Sequence, residues 1–142
     1  MQHRAKKRFG QNFLVDPNII DKIIHSINPQ AEDHTIEIGP GLGALTQPLL
    51  KRLNRLDAIE LDRDVIPRLK TLEYSEKLHI HNIDVLAFDF TEFKQSNFEH
   101  GKLRIIGNLP YNISTAVLFH LVSHRNCIHD LHFMLQKEVV ER

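Results

Sequence analysis

The sequence predicts an α/β fold in which one parallel sheet is covered by helices on both faces. Short apolar runs typical of strands alternate with segments typical of helices along the 142-residue chain, and such alternation predicts a parallel sheet. A glycine-rich turn follows the first apolar run, and polar residues follow the later runs. A chain of this length suits one domain. We therefore predict a single domain over residues 1–142.

The first predicted helix begins at Asp16 and Pro17, residues that suit the N-cap and the first helical position. Asn28 and Pro29 end it, because the residue before a proline disfavours helical backbone. Isoleucine recurs between these ends at helical spacing, at Ile19, Ile20, Ile23, Ile24 and Ile27. This face is expected to pack on the core.

The later elements follow from hydrophobic periodicity. We predict the segment at 92–102 to be the least ordered connection, since it is polar and contains glycine. The predicted elements are, in order, a strand through residues 36–38, a helix over 44–53, a strand over 56–61, a helix over 63–72, a strand over 78–83, a strand over 103–107, a helix over 114–123, a strand over 131–135 and the start of a helix over 136–142.

The glycine turn lies within residues 35–46, which read TIEIGPGLGALT. Gly39 and Gly41 allow the backbone to approach a ligand closely, and the helix start that follows favours negative charge. The spacing Gly39-x-Gly41-x-x-Ala44 formally satisfies the dinucleotide fingerprint. Glu60 follows Gly39 by 21 residues, near the spacing at which a carboxylate accepts hydrogen bonds from ribose. The turn thus predicts a nucleotide-like cofactor and leaves its identity open.

Other polar residues are expected at the same edge of the sheet, because ligands bind at the carboxyl ends of parallel strands. Asp84 follows the third strand and is either an acceptor for an exocyclic amine or a turn former. Asn108, Leu109, Pro110 and Tyr111 follow the fourth strand. An amide, nearby carbonyls and an aromatic ring suit a planar base with an amino group. The alternative for these four residues is a simple strand-to-helix turn.

Composition restricts the class of protein only loosely. The 18 Lys and Arg residues balance 18 Asp and Glu, so any nucleic-acid contact must be local. Arg4, Lys6, Lys7 and Arg8 form such a local cluster, which is either a phosphate-binding segment or a solvated basic tail.

The opening residues lack the charged, apolar and small-residue pattern of a leader, so none is expected, and no apolar run is long enough to span a membrane. Its single cysteine, Cys127, excludes an internal disulfide. These features favour a reducing, cytoplasmic setting. The neighbouring Cys127, His129 and His132 match no common zinc pattern, and we predict no metal site.

Four short sequence motifs together resemble those of the ribosomal RNA adenine N6-dimethyltransferases. They are KRFGQNFL at 7–14, EIGPGLG at 37–43, IELD at 59–62 and GNLPYNIST at 107–115. The first motif and FMLQKEV at 133–139 are more similar to the small-subunit (16S) branch linked to kasugamycin sensitivity. The macrolide-resistance 23S branch is the close alternative. The resemblance implies a Rossmann-like, class I S-adenosylmethionine-dependent methyltransferase fold.

The resemblance also implies roles for the site residues. S-adenosylmethionine would be held by Asn12, Leu14, Gly39, Gly41, Glu60, Asp84 and Asn108. The target adenine would be held by Asn108, Leu109, Pro110 and Tyr111. The expected substrate is a pair of adjacent adenosines in the 3′-terminal hairpin loop of 16S rRNA, in an immature small subunit. No membrane or obligate protein partner is expected.

Relatives in this family continue through further strands and a small helical domain, so the resemblance implies that the chain is incomplete at its C-terminus. The strand with Leu131, Phe133 and Leu135 is then expected to expose an apolar edge that favours association. Methyl transfer by this chain alone is expected to be weak or absent. An alternative to the methyltransferase function is a noncatalytic assembly factor that binds rRNA. A nicotinamide oxidoreductase is a weaker alternative.

Overall fold

The computed structural model describes residues 16–136, which form a five-stranded sheet with helices on both faces. The strand order is β3-β2-β1-β4-β5 and every neighbouring pair is parallel. The predicted α/β class is confirmed. The strands are β1 His34–Ile38, β2 Leu56–Ile59, β3 Leu78–His81, β4 Leu103–Pro110 and β5 Ile128–Gln136.

One α-helix precedes β1, and the other helices connect consecutive strands and pack on the two faces of the sheet. Short 3₁₀ turns occupy Arg63–Val65, Ser75–Lys77, Val85–Ala87 and Arg125–Cys127. The α-helices are α1 Pro17–Ile27, α2 Thr46–Arg52, α3 Ile66–Leu69, α4 Phe90–Asn97 and α5 Tyr111–Val122. Among residues 16–136, no helix is long and apolar enough to cross a membrane.

Helix α1 has the ends that its sequence predicts. The side chain of Asp16 accepts a hydrogen bond from the backbone N–H of Asn18 at 2.9 Å. Asn28 ends the helix in the left-handed region, with φ of 51°, a conformation that asparagine tolerates. Ile24 and Ile27 are buried. The isoleucine face therefore attaches α1 to the core.

Two apolar layers enclose the sheet. Alternating residues of a strand point to opposite faces, so β2 and β4 contribute to both layers, whereas β1 contributes Ile36 and Ile38 to one. One layer contains Ile36, Ile38, Ile59, Phe88, Phe90, Phe93, Leu103, Ile105, Leu109, Val117, Leu121 and Cys127. The other contains Ile24, Ile27, Leu45, Leu49, Leu50, Leu53, Leu56 and Ile106.

The segment predicted to be least ordered contains helix α4, so that prediction was wrong over residues 92–97. Asp89 caps the helix by accepting from the backbone N–H of Glu92 at 3.0 Å. Phe90 is fully buried and Phe93 is 8% exposed. Two phenylalanines three residues apart lie on one helix face, and their burial stabilises a helix that is otherwise polar.

Strand β4 is longer than predicted, because it runs past Gly107 to Pro110 and helix α5 begins at Tyr111 rather than at Ser114. The reason is β5, which begins at Ile128 and pairs with β4 through Pro110. The other bounds within residues 16–136 differ by a few residues, and the helix predicted over 63–72 is a 3₁₀ turn followed by α3. The helix predicted to start at residue 136 is wrong at Gln136, which ends β5, and the rest of that prediction lies outside the described residues.

Strand β5 lies at the edge of the sheet and pairs with β4 alone among residues 16–136. Leu131 and Leu135 are 38% and 45% exposed, and Phe119 on the neighbouring helix α5 is 73% exposed. Apolar surface of this kind favours association. Association of the chain stays a prediction.

Arg104 connects the end of α1 to the sheet. Its guanidinium donates to the carbonyl of Ile27 at 2.6 Å, to Asp33 at 2.8 Å and to Asp130 at 3.1 Å. Burial by itself would raise the pKa of Asp130, but hydrogen bonds and charge from Arg104 and His132 outweigh it and hold that pKa below its ordinary value. Arg104 therefore holds the end of α1 and the strand β5 against β4.

We expect Arg104→Gln to lower the free energy of unfolding at neutral pH by about 2 kcal/mol, because charge-assisted hydrogen bonds are lost. The Asp130 contribution is present above the carboxyl's unfolded pKa and is lost as pH falls through its lower folded value, so the deficit should shrink below about pH 4. Urea unfolding at several pH values measures this. The exposed Arg52→Gln is the matched control, and equal losses in both variants would contradict the structural role.

Candidate active site

The candidate site lies at the carboxyl ends of β1, β2, β3 and β4. The glycine turn follows β1 and is tied to β2, since the N–H of Gly39 donates to the carbonyl of Ile59 at 2.9 Å. The strand order changes direction at β1, whose neighbours are β2 and β4. Such a switch point opens a crevice in parallel sheets.

Two glycines of the turn, Gly39 and Gly43, have different structural roles. Gly39 has φ of +68°, and a Cβ built on it would meet no atom of the described residues within 4 Å. Its backbone is therefore open to a ligand. Gly43 has φ of +95°, and its Cβ would lie 2.9 Å from a methyl carbon of Leu72. Glycine is favoured at position 43 by its positive φ and by its close contact with Leu72, whereas Gly39 leaves room for a cofactor.

Glu60 braces the glycine turn from the end of β2. It is only 9% exposed, and its carboxylate accepts from the N–H of Gly41 at 3.2 Å and of Asp62 at 3.0 Å. Its own backbone N–H donates to the carbonyl of His81 at 3.0 Å, and its carbonyl accepts from the side chain of Asn82 at 2.8 Å. The structure thus brings Gly41 and Glu60 together, as the spacing predicts.

Asp84 lies after β3 and caps the 3₁₀ turn Val85–Ala87. Its carboxylate accepts from the backbone N–H of Leu86 at 3.0 Å. The side chain is exposed. The turn-forming role that the sequence allows is therefore present, and recognition of an adenine amine stays a prediction.

The segment Asn108–Tyr111 spans the end of β4 and the first residue of α5. Beyond Gly107, β4 pairs with β5 and no longer with β1. Asn108 is half-buried, and Leu109 is 2% exposed in the core. Only the backbone of Leu109 is therefore available to a ligand.

Tyr111 is the accessible aromatic ring of this segment, being 65% exposed. Its carbonyl accepts from the hydroxyl of Ser114 at 2.8 Å, which fixes the first turn of α5. An exposed ring on a fixed backbone suits stacking against a planar base.

Glu37 is a site residue that sequence reasoning missed. It is 2% exposed on β1, and the hydroxyl of Thr46 donates to it at 2.6 Å. Burial raises the pKa of Glu37 to about 7; the Thr46 hydrogen bond opposes the rise and the charge of Glu60 adds to it. Glu37 pairs in register with Ile106, so Glu37 and Asn108 lie on the same face of the sheet. A lone carboxylate inside the apolar run before the glycine turn was the available signal.

Two exposed leucines flank the acceptors. Leu61 directly follows Glu60 and is 64% exposed, and Leu86 lies two residues after Asp84 and is 47% exposed. They offer apolar surface for the faces of a purine ring. The sequence does not reveal them, because a leucine in an apolar pattern is predicted to be core.

The remaining predicted site residues lie outside the described residues. They are Arg4, Lys6, Lys7, Arg8, Asn12 and Leu14.

Among residues 16–136, no group of three or more metal-ligating side chains is positioned to hold a metal ion.

Comparison with known proteins gives a family match over nearly the whole chain. The model of the family described as ribosomal RNA adenine dimethylase matches residues 2–142. Ribosomal RNA small subunit methyltransferase A of Neisseria gonorrhoeae is 57% identical over 141 residues, which cover 99% of this chain and 52% of the relative. The chain spans about half the length of the curated relatives it matches.

Solved structures agree on the fold. A dimethyladenosine transferase from Plasmodium falciparum is 30% identical with a TM-score of 0.68, over 86% of this chain and 42% of that chain. The N-methyltransferase NodS from Bradyrhizobium japonicum, in complex with S-adenosyl-L-homocysteine, is 16% identical with a TM-score of 0.60, over 87% and 69% of the two chains. These neighbours confirm a class I methyltransferase fold. The four sequence motifs and the family match lead to one answer, which is that the chain belongs to the ribosomal RNA adenine dimethylase family.

Proposed function

We propose that this chain forms the cofactor-binding part of an enzyme that transfers methyl groups from S-adenosylmethionine to adenine N6 in 16S ribosomal RNA. The observation that carries the proposal is the glycine turn braced by Glu60 next to the Asn108–Tyr111 segment. The proposed substrate is the pair of adjacent adenosines in the 3′-terminal hairpin loop of an immature small subunit. The product is N6,N6-dimethyladenosine, and the proposed setting is small-subunit biogenesis in the cytoplasm.

The residues present fit S-adenosylmethionine. Open space at Gly39 admits the cofactor against the backbone. The carboxylate of Glu60 lies at the end of β2 beside the glycine turn, where it accepts from the backbone N–H groups of Gly41 and Asp62, and a carboxylate at this place suits the hydroxyls of a ribose as donors. Leu61 and Leu86 would contact the faces of the adenine, and Asp84 would accept from its amine. The S-adenosyl-L-homocysteine complex of NodS supports this cofactor class on the same fold.

The target adenine would lie on the β4 side of the crevice. We assign hydrogen-bond acceptance from its N6 to the side-chain oxygen of Asn108 and to a backbone carbonyl of Leu109 or Pro110. Tyr111 would stack on the ring, since it is exposed at the start of α5. A base reaches such a pocket only by leaving its stack, so a looped RNA is the expected substrate.

The residues at this end of the sheet act by positioning rather than by strong base catalysis. When bound, S-adenosylmethionine supplies a methyl group activated by a positively charged sulfur. Adenine N6 is a poor nucleophile because its lone pair is delocalised into the ring. Hydrogen bonds accepted at Asn108 and the neighbouring carbonyl would favour a more tetrahedral nitrogen and direct its lone pair toward the methyl group.

The basic cluster Arg4–Arg8 is proposed to contact RNA phosphates. It fits equally well with a noncatalytic assembly factor, which is the second candidate function. The Asn108–Tyr111 segment favours the enzyme, because an assembly factor has no need of a pocket for a single base beside a cofactor crevice.

The first test is calorimetric titration of the chain with S-adenosylmethionine and with NAD. We expect binding of S-adenosylmethionine alone, and binding of NAD alone would overturn the cofactor assignment. The second test incubates the chain with unmethylated small subunits and methyl-labelled cofactor, followed by nucleoside analysis. N6,N6-dimethyladenosine in 16S rRNA supports the proposal, whereas cofactor binding without transfer favours the assembly factor.

Transfer by this chain should be slow, and it should rise when the chain is joined to the part of the Neisseria gonorrhoeae relative that the match does not cover. Tyr111→Ala should lower transfer without weakening cofactor binding, because the ring contacts the target base alone. Tyr74→Ala is the matched control on a distant turn. Label in 23S rRNA would instead support the macrolide-resistance branch.

A further inference from the structure

A second cavity lies at the opposite end of the sheet from the candidate active site. It has a volume of about 490 Å³ and is formed by α4, the residues just before β4 and the turn before β5. Strands rise about 3.3 Å per residue, so Lys102 at its rim is roughly 20 Å from Asn108. The cavity is therefore independent of the cofactor crevice.

The lining carries positive charge and hydrogen-bond donors. Lys94 from α4 and Lys102 from the segment before β4 contribute ammonium groups, and Gln95 and Asn126 contribute side-chain amides. Among residues 16–136, neither lysine forms an ion pair with a carboxylate. Both charges are thus available to a ligand.

No carboxylate lines the cavity within the described part of the chain. Asp89, which does not line the cavity, is 3.9 Å from the ring of His124 and is 60% exposed. His124 lines the cavity and is held by the hydroxyl of Thr91 at 2.7 Å. The contact between Thr91 and His124 therefore fixes part of the cavity wall without neutralising the charges of Lys94 and Lys102.

We propose that this cavity is an anion site that takes a phosphate group through Lys94 and Lys102, with Gln95 and Asn126 as further donors. A compact anion with several acceptor oxygens matches ammonium groups and amides that approach from different elements, and lysine binds phosphate as a point charge. The phosphate is either a phosphodiester of an RNA backbone or a free phosphate. The site does not depend on methyl transfer.

The test follows the backbone amide signals of Gly101 and Lys102 by NMR while inorganic phosphate is added at constant ionic strength. We expect saturable shifts, and about a tenfold or greater loss of affinity in Lys94→Gln with Lys102→Gln. The control variant Lys51→Gln with Lys70→Gln removes the same charge from exposed positions elsewhere. Shifts that do not saturate, or equal losses in both variants, would overturn the proposal.

A second titration uses a short single-stranded RNA in place of phosphate. Shifts of the same amides that compete with phosphate identify an RNA phosphodiester as the ligand, whereas phosphate binding without RNA binding identifies a free phosphate. S-adenosylmethionine affinity should be unchanged in Lys94→Gln with Lys102→Gln. Failure of this anion site is therefore distinguishable from failure of the proposed function.

Discussion

Replacing Glu60 by alanine should weaken S-adenosylmethionine binding by about 100-fold, because two hydrogen bonds to a charged acceptor are lost. The carboxylate also accepts from the backbone N–H groups of Gly41 and Asp62, so its removal releases the glycine turn as well. Isothermal titration calorimetry of the purified chain measures the change in Kd.

Two further variants show the cause of that loss. Glu60→Gln retains one acceptor oxygen and should lose less affinity than Glu60→Ala. Glu76→Ala removes an exposed carboxylate from a turn outside the crevice and should bind as the parent chain does. An unchanged Kd in folded Glu60→Ala would contradict the role of Glu60 as a cofactor ligand.

Replacing Glu37 by glutamine should remove a large pH dependence of stability. The carboxyl group has an ordinary pKa of 4.5 in the unfolded chain, and burial raises it to about 7 in the fold. The folded state therefore binds the proton more tightly, so stability is fully present below about pH 4.5 and is lost as pH rises through about 7. A shift of this size corresponds to about 3 kcal/mol.

The measurement is the difference in free energy of unfolding between the parent chain and Glu37→Gln across that pH range. The variant should gain about 3 kcal/mol relative to the parent on going from about pH 4.5 to about pH 8. The amide can still accept from Thr46, so the core is preserved. Glu76→Gln is the matched exposed control, and a pH-independent difference for Glu37→Gln would contradict the buried proton.

Local sequence patterns were sufficient to predict much of the fold. The ends of α1 follow from Asp16, Pro17 and Asn28, because capping depends on residues a few positions apart. The meeting of Gly41 and Glu60 followed from the convergence of parallel strands at one edge. Family membership was predicted from the sequence motifs at 7–14, 37–43, 59–62 and 107–115, and the family match confirms it.

Other features depend on residues that are distant in sequence. Helix α4 forms because its own Phe90 and Phe93 are buried in the core. The other residues of the helix are polar, so its sequence pattern does not indicate this burial. Strand β4 extends to Pro110 because β5 continues beside it. The periodicity of either segment alone contains no information about its partner.

The sequence by itself determined the alternation of strands and helices, the glycine turn at Gly39 and the Asn108–Tyr111 segment, since each depends on neighbouring residues. Only the tertiary structure decided that burial raises the pKa of Glu37 to about 7 and that Leu61 lies exposed beside the crevice. Burial and electrostatic fields come from groups that folding brings together, such as Thr46 and Glu60 around Glu37. For that reason the place of the candidate site in the fold could be predicted from the chain, whereas the raised pKa of Glu37 required the fold.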